Sequence, residues 1–257
     1  MQSVLNFKDL SAGKKLYFAS DFHLGIPDRE QSLAREKKIV RWLTEIEPTA
    51  GAIFLVGDLF DFWFEYPSVI PKGFIRFQGK LAELRDRGIP IYIFTGNHDM
   101  WMSGYFEEEL GIPVFHRAIS VQTAHHLIRV GHGDGLGPGD YGYKFLKLFF
   151  KGRLFQWMFR WLHPTVGVGI ATFWSKRSRL GQEKNPETFM EEKEWLYQHC
   201  LEVQSTSPHD FYVFGHRHLP IQMKGDAFEY VNLGEWVHHC TYGVYDGHDL
   251  KLETFEN

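Results

Sequence analysis

The chain has 257 residues, 44% of them hydrophobic, enough to build one sizeable core. No run approaches the roughly 18 apolar residues that cross a bilayer, and the first fifteen residues carry acidic Asp9 with no apolar centre, unlike a signal peptide. Two cysteines, Cys200 and Cys240, suit a reducing cytoplasm rather than a disulfide scaffold, and a net charge of −4 gives no general affinity for nucleic acid.

In chain order, short β-branched and aromatic runs stand at residues 16–19, 52–56, 89–94, 127–130 and 211–214. Most are apolar on consecutive positions, as strands covered on both faces are. Helical spacing lies between the first three. Residues 29–47 carry apolar side chains at 33, 39, 40, 43 and 46 and stop at Pro48; residues 74–87 carry them at 74, 77, 81 and 84 and close on Gly88. Strands alternating with helices predict an α/β fold. Residues 141–182 break the pattern. They hold no Asp or Glu, but eight cations (Lys144, Lys147, Lys151, Arg153, Arg160, Lys176, Arg177 and Arg179) interleaved with eleven aromatics. Phe145, Leu148, Phe149, Phe155, Met158, Phe159 and Leu162 fall on helical spacing, which His163-Pro164 interrupts before a second helical pattern at 166–177. Asn185 as N-cap and Pro186 at the first helical position predict a helix over 187–204. Strands return at 229–233 and in a hairpin within 243–255 that turns at Asp246-Gly247. There is no internal repeat and no low-complexity linker.

Each of the five strand-like runs ends in metal-ligating residue types: Ser20-Asp21-Phe22-His23, Gly57-Asp58-Leu59-Phe60-Asp61, Gly96-Asn97-His98-Asp99, Gly131-His132-Gly133-Asp134 and Gly215-His216-Arg217-His218. Strand ends of an open α/β sheet gather at one place. Asp21 and His23, and again His216 and His218, stand at i and i+2, which on extended chain puts each pair on one face. Asp58 is the natural bridging carboxylate, with Asn97 and His132 completing a second ion. An imidazole-rich set favours Mn²⁺, Fe²⁺ or Zn²⁺ over Mg²⁺. Two such ions about 3.5–4 Å apart polarise a phosphoryl group and supply hydroxide for in-line attack. His98 is placed to donate a hydrogen bond or proton to the leaving oxygen, and Asp61 to orient its ring. The glycines before Asp58, Asn97, His132 and His216 are expected to permit tight turns. A lone His or Asp at a strand end is more often a turn residue than a ligand; seven suitable residues in order at five ends outweigh that. His116, His125, His126, His199, His209, His238, His239 and His248 have no such spacing and read as surface or hydrogen-bonded side chains.

These motifs, in order over residues 16–240, resemble those of the calcineurin-like metallophosphoesterases. The resemblance implies one domain over 1–257, a four-layer αββα sandwich with a helical lid inserted at about 138–206. It implies Asp21, His23, Asp58 and His218 around one ion, and Asp58, Asn97, His132 and His216 around the other. The cofactor expected is two divalent metal ions, Mn²⁺ first. The wording Asp-Phe-His-Leu, Gly-Asp-Leu-Phe-Asp-Phe-Trp, His-Gly-Asp, Gly-His-Arg-His-Leu-Pro and Leu-Gly-Glu-Trp is similar to the UDP-2,3-diacylglucosamine diphosphatase family of lipid A biosynthesis. That likeness implies hydrolysis of the pyrophosphate to UMP and 2,3-diacylglucosamine 1-phosphate. Asp140, Tyr143, Lys176, Arg177 and Arg179 would then contact the lipid-linked nucleotide. His98 departs from the pattern, standing where the best-known members carry Arg. A basic, aromatic insertion suits an anionic membrane surface, so the expected place is cytoplasmic, peripheral on the inner face of the cell membrane. Two alternatives stand beside this reading. One is a related phosphoesterase acting on another nucleotide or lipid-linked phosphodiester. The other is a non-catalytic scaffold, which would show ligand substitutions where this chain has none.

Overall fold

A computed structural model describes residues 4–137, 152–170 and 194–256. In chain order the strands are β1 (Val4–Phe7), β2 (Lys15–Ala19), β3 (Ala50–Val56), β4 (Ile91–Phe94), β5 (Val114–Phe115), β6 (Ile119–Thr123), β7 (Leu127–Gly131), β8 (Phe211–Phe214), β9 (Pro220–Lys224), β10 (Glu229–Leu233), β11 (Thr241–Tyr245) and β12 (Leu250–Thr254). The helices are α1 (Arg29–Ile46), α2 (Ile75–Asp86), α3 (Tyr105–Leu110), α4 (Arg153–Arg160), α5 (164–170) and α6 (Trp195–Thr206).

The strands form two six-stranded mixed sheets, ordered β12-β11-β2-β3-β4-β5 and β1-β6-β7-β8-β10-β9. Leu16, Phe18, Phe54 and Val56 of the first sheet pack against Ile128, Val130, Val213 and Val231 of the second, making a core between the sheets. The alternate residues Tyr17, Ala19, Ile53 and Leu55 face a second core with Ile39, Trp42 and Leu43 of α1 and Phe77, Leu81 and Leu84 of α2. A third core joins Leu196 and Cys200 of α6 to Tyr212, Phe214 and Tyr230 on the far side. This is the expected four-layer arrangement. It explains why β2, β3 and β8 are apolar on consecutive residues: both faces of each are covered.

Parallel pairing of β2 with β3, of β3 with β4 and of β7 with β8 brings five carboxyl ends to one edge of the sandwich. The helices α1 and α2 return the chain between β2, β3 and β4. The side chain of Asp28 caps α1 by accepting from Gln31 N at 2.9 Å. Glu36 Oε1 of α1 accepts from Arg76 N at 2.8 Å and Phe77 N at 3.1 Å, satisfying the otherwise bare start of α2.

The helical break at His163-Pro164 is present, with α4 before it and α5 after it. Phe159 of α4 is anchored on Phe62, Phe64 and Trp101, with ring centroids 4.7–6.2 Å apart. The helix expected over 187–204 is different: Glu194 is extended (ψ 118°), and the described helix begins at Trp195. Glu194 O accepts from Gln198 N at 2.9 Å, so this residue opens α6 instead of lying inside a longer helix. The elements β1, β5, β6, β9 and α3 were not expected from the residue pattern. Asp140, Tyr143, Lys176, Arg177 and Arg179, and the capping pair Asn185-Pro186, lie outside the described residues. No helix among the described residues is long and apolar enough to cross a membrane.

Candidate metal centre

Five of the seven expected ligands occupy the left-handed backbone region: Asp21 (φ 55°), His23 (44°), Asp58 (52°), His216 (71°) and His218 (53°). Non-glycine residues rarely adopt it, and each costs on the order of 1–3 kcal/mol unless its surroundings impose it. The two i, i+2 pairs therefore converge by curling the chain, and the alternation of an extended strand is not what brings them together. Hydrogen bonds carry the β2–β3 pairing into these curls: Asp21 N donates to Gly57 O (3.0 Å), His23 N to Asp58 O (2.9 Å) and Leu24 N to Leu59 O (3.0 Å).

The side chains meet in two groups that share Asp58. Asp21, His23, Asp58 and His218 offer ligand atoms within 4.8 Å of one another, and so do Asp58, His132 and His216. In the first group His23 Nε2 faces His218 Nε2 at 3.1 Å, with Asp21 Oδ1 at 3.8 Å from the former and 3.2 Å from the latter. In the second, His132 Nε2 is 3.3 Å from Asp58 Oδ2 and 3.3 Å from Asn97 Oδ1. His132 Nδ1 donates to Val56 O at 2.9 Å, which fixes the ring and leaves Nε2 for the centre. A third group, His23, Asp61 and His98, lies beside them. His98 Nδ1 is 3.0 Å from the main-chain oxygen of Asp61 and 3.6 Å from its carboxylate, so it is the carbonyl of Asp61 that orients the ring.

The electrostatics follow from burial and crowding. Burial opposes charge on Asp58, yet the surrounding imidazoles of His132, His98 and His23 hold its carboxyl well below the usual range. Burial likewise opposes charge on His132, but Asp58, with Asp21 and Asp134, pushes that imidazole up to about 10. Desolvation, and the charge of His132 beside it, push His216 down to about 4. Asp21 Oδ1 is buried and accepts no hydrogen bond among the described residues, while two imidazole Nε2 atoms converge next to it. Carboxylate and imidazole ligands converging on a buried, unsatisfied oxygen are the donor chemistry of a divalent transition-metal site, and the residues fit such an ion.

Several residues that hold this arrangement were given no role by the sequence reading. Asp99 accepts from Gly96 N (2.7 Å), Leu59 N (2.8 Å) and Asp58 N (3.3 Å), stitching the loop of Asp58 to the loop of Asn97. Arg35 Nη2 donates to His23 O at 2.7 Å, and Gly25 N donates to Ser32 Oγ at 2.8 Å. Ser32, Arg35 and Glu36 are buried on the stripe of α1 that continues into Ile39, Trp42 and Leu43. Three polar residues on an otherwise apolar face were the readable signal. The motif glycines serve close approach more than turning. Of those preceding Asp58, Asn97, His132 and His216, Gly57 alone has positive φ, and a Cβ there would also lie 2.5 Å from His132 Nδ1. A Cβ on Gly96 would collide with Asp58, and one on Gly215 with Asp21.

Comparison with known proteins identifies the family. The model of the calcineurin-like phosphoesterase family matches residues 14–220. A protein of Porphyromonas gingivalis named UDP-2,3-diacylglucosamine hydrolase is 38% identical over 257 aligned residues, covering 95% of this chain and 98% of the relative. One of the same name from Aeromonas salmonicida is 26% identical, covering 92% and 91%. Among solved structures, the phosphoesterase Yfce of E. coli aligns with a TM-score of 0.48 at 16% identity, over 94% of this chain and 93% of that one. On the family match and the near-full-length 38% identity, this chain belongs to the calcineurin-like phosphoesterases.

Proposed function

We propose that the protein hydrolyses the pyrophosphate of UDP-2,3-diacylglucosamine, giving UMP and 2,3-diacylglucosamine 1-phosphate. The observation that carries the hydrolase reading is the pair of donor groups sharing Asp58. Substrate choice follows the 38%-identical relative and its printed name. Divalent metals belong to the family, and the imidazole content of this site favours Mn²⁺. Asp21, His23, Asp58 and His218 would hold one ion, and Asp58, Asn97, His132 and His216 the other. When bound, such a pair neutralises phosphoryl charge and acidifies water for in-line attack.

The chain's own residues orient and exclude. Asp58 ties both positions to one carboxylate. His98, its Nδ1 committed to the Asp61 carbonyl, presents Nε2 as the ring nitrogen available to the leaving oxygen. Water attacking the α-phosphorus leaves the lipid phosphate as leaving group, and His98 is the side chain positioned to meet the charge developing there.

The helix α4 supplies a lipid-facing surface. Phe159 turns inward, whereas Leu154, Trp157, Met158 and Trp161 are 71%, 57%, 56% and 76% exposed. Their i, i+3, i+4, i+7 spacing makes one outward apolar stripe, with exposed Arg160 beside it. Stripes of this kind lie in the headgroup region of anionic bilayers, which supports peripheral contact at the inner face of the cell membrane. Asp140, Tyr143, Lys176, Arg177 and Arg179 are the proposed contacts to the substrate. Purified protein with Mn²⁺ should release UMP from UDP-2,3-diacylglucosamine. Turnover of water-soluble phosphodiesters alone would overturn the lipid substrate and leave a phosphoesterase of different specificity.

A further inference from the structure

Arg217 stands between His216 and His218, the two ligands at positive φ that close the motif. Its guanidinium does not reach into solvent: the residue is 7% exposed and grips the fully buried carboxylate of Glu194. The contact is two-pronged, Nε to Oε1 at 2.5 Å and Nη2 to Oε2 at 3.0 Å. Glu194 in turn opens α6 through its carbonyl. The two residues that follow it also touch ligand loops. Trp195 sets its ring edge-on to His216, centroids 5.7 Å apart. Leu196 lies so close to Gly133, next to His132, that a Cβ there would meet it at 3.1 Å. On its other side the loop is held by Asn232, whose Nδ2 donates to Gly215 O at 2.6 Å.

A buried ion pair is a poor way to gain stability, because desolvating both charges offsets their attraction and an apolar pair of similar volume does as well. A bidentate fork gives direction instead: it fixes the angle of the guanidinium as well as its distance. The backbone on either side of Arg217 is what aims the two imidazoles. We propose that the Glu194–Arg217 pair is a positioning device for the metal centre, locking the peptide between His216 and His218 to the start of α6. The proposal rests on the ligand assignment made above.

The test compares wild type with Arg217→Gln, Glu194→Gln and the double variant Glu194→Gln/Arg217→Gln. A control, Lys80→Gln, breaks the remote Lys80–Glu47 pair, 2.7 Å in length. Each protein is stripped of metal and titrated with Mn²⁺ against a chromophoric chelator, and hydrogen exchange in the first turn of α6 is read with and without Mn²⁺. Wild type should bind two ions and slow its exchange in α6 when it does. Each single variant should bind about 10- to 100-fold more weakly, the scale for losing a group that orients a ligand, and metal should no longer protect α6. The control should lose thermal stability and keep wild-type affinity. Where a single variant leaves a buried charge that prevents folding, the double variant removes both charges and should fold and still bind weakly. A folded Arg217→Gln or double variant with wild-type affinity and metal-dependent protection would overturn the proposal, leaving the pair a structural staple. If wild type binds no metal, the ligand assignment falls and this inference with it.

Discussion

The edge of the sandwich that gathers the candidate ligands and the outward face of α4 are built on opposite terms. At the edge, left-handed backbone is imposed on five polar residues, and the curls are held by named partners: Asp99, Arg35, Ser32 and the carbonyls of Gly57 and Asp58 for the loops after β2 and β3, and Asp21 and Asn232 for the loop after β8. On α4 an ordinary helix leaves Leu154, Trp157, Met158 and Trp161 exposed while its Phe159 side is anchored. The difference matches the work proposed for each. Chemistry needs atoms fixed to fractions of an ångström, which takes an over-determined polar network. Binding acyl chains or a bilayer needs apolar area, which tolerates slack.

The sharpest way to break the first half of the comparison is Asp58→Ala, since both donor groups share that carboxylate. Hydrolysis of a soluble phosphodiester should fall on the order of 10³-fold or more, and metal content should drop for both ions together. Loss of one ion with the other retained would show that the groups do not share it. Next in size is Asp99→Ala, which leaves buried N–H groups of Gly96, Leu59 and Asp58 without an acceptor. At roughly 1–3 kcal/mol for each unsatisfied group, partly relieved by water, a loss of about 3 kcal/mol is expected in urea unfolding. A loss below about 1 kcal/mol would mean that the left-handed curls hold themselves.

The pH dependence of metal loading sharpens the electrostatic side. Burial disfavours charge on His132, but Asp58 outweighs it and raises the imidazole to about 10. Ligation takes the neutral ring, so below about pH 10 loading must expel that proton and affinity must fall as pH falls, by up to about tenfold per unit. His216, lowered to about 4, is already neutral and contributes nothing to the slope near neutrality. Calorimetry in two buffers of different ionisation enthalpy counts the protons released. None released at neutral pH would contradict the charge state assigned to His132.

The same division explains what could be read from residues alone. The candidate ligands could be singled out because metal chemistry admits few side-chain types, and their order along the chain survives folding. The main strands and the helices α1 and α2 were readable because covered faces demand periodic apolar residues. What escaped depends on partners distant in sequence. The Glu194–Arg217 pair bridges 23 positions and has no local period. Asp99 accepts bonds from a loop 40 residues earlier. Edge strands β1 and β9 alternate exposed and more covered residues over four or five positions, too short to stand out from loop. The two-residue β5 and the six-residue, acid-rich α3 are set by their neighbours. The i, i+2 argument expected Asp21 and His23 to meet through the alternation of an extended strand, whereas a pair of left-handed curls is what brings them together.

The smallest expected effect tests the second half of the comparison. Trp157→Ser and Trp161→Ser each remove a large, exposed ring from α4 at positions that make no contact with the ligand loops among the described interactions. Seating such a side chain in a headgroup layer is worth about 1.5–3 kcal/mol if fully buried, so each substitution should weaken co-sedimentation with anionic vesicles by about tenfold. Hydrolysis of a soluble diester and metal content should stay as in wild type. The pair also interact, their rings 6.0 Å apart and nearly perpendicular, so the double substitution should cost less than the product of the singles. If vesicle binding survives both, the stripe serves the acyl chains of a single substrate molecule and not the bilayer. A rise in KM for the lipid substrate with unchanged turnover of the soluble diester would then place its apolar area inside the binding site.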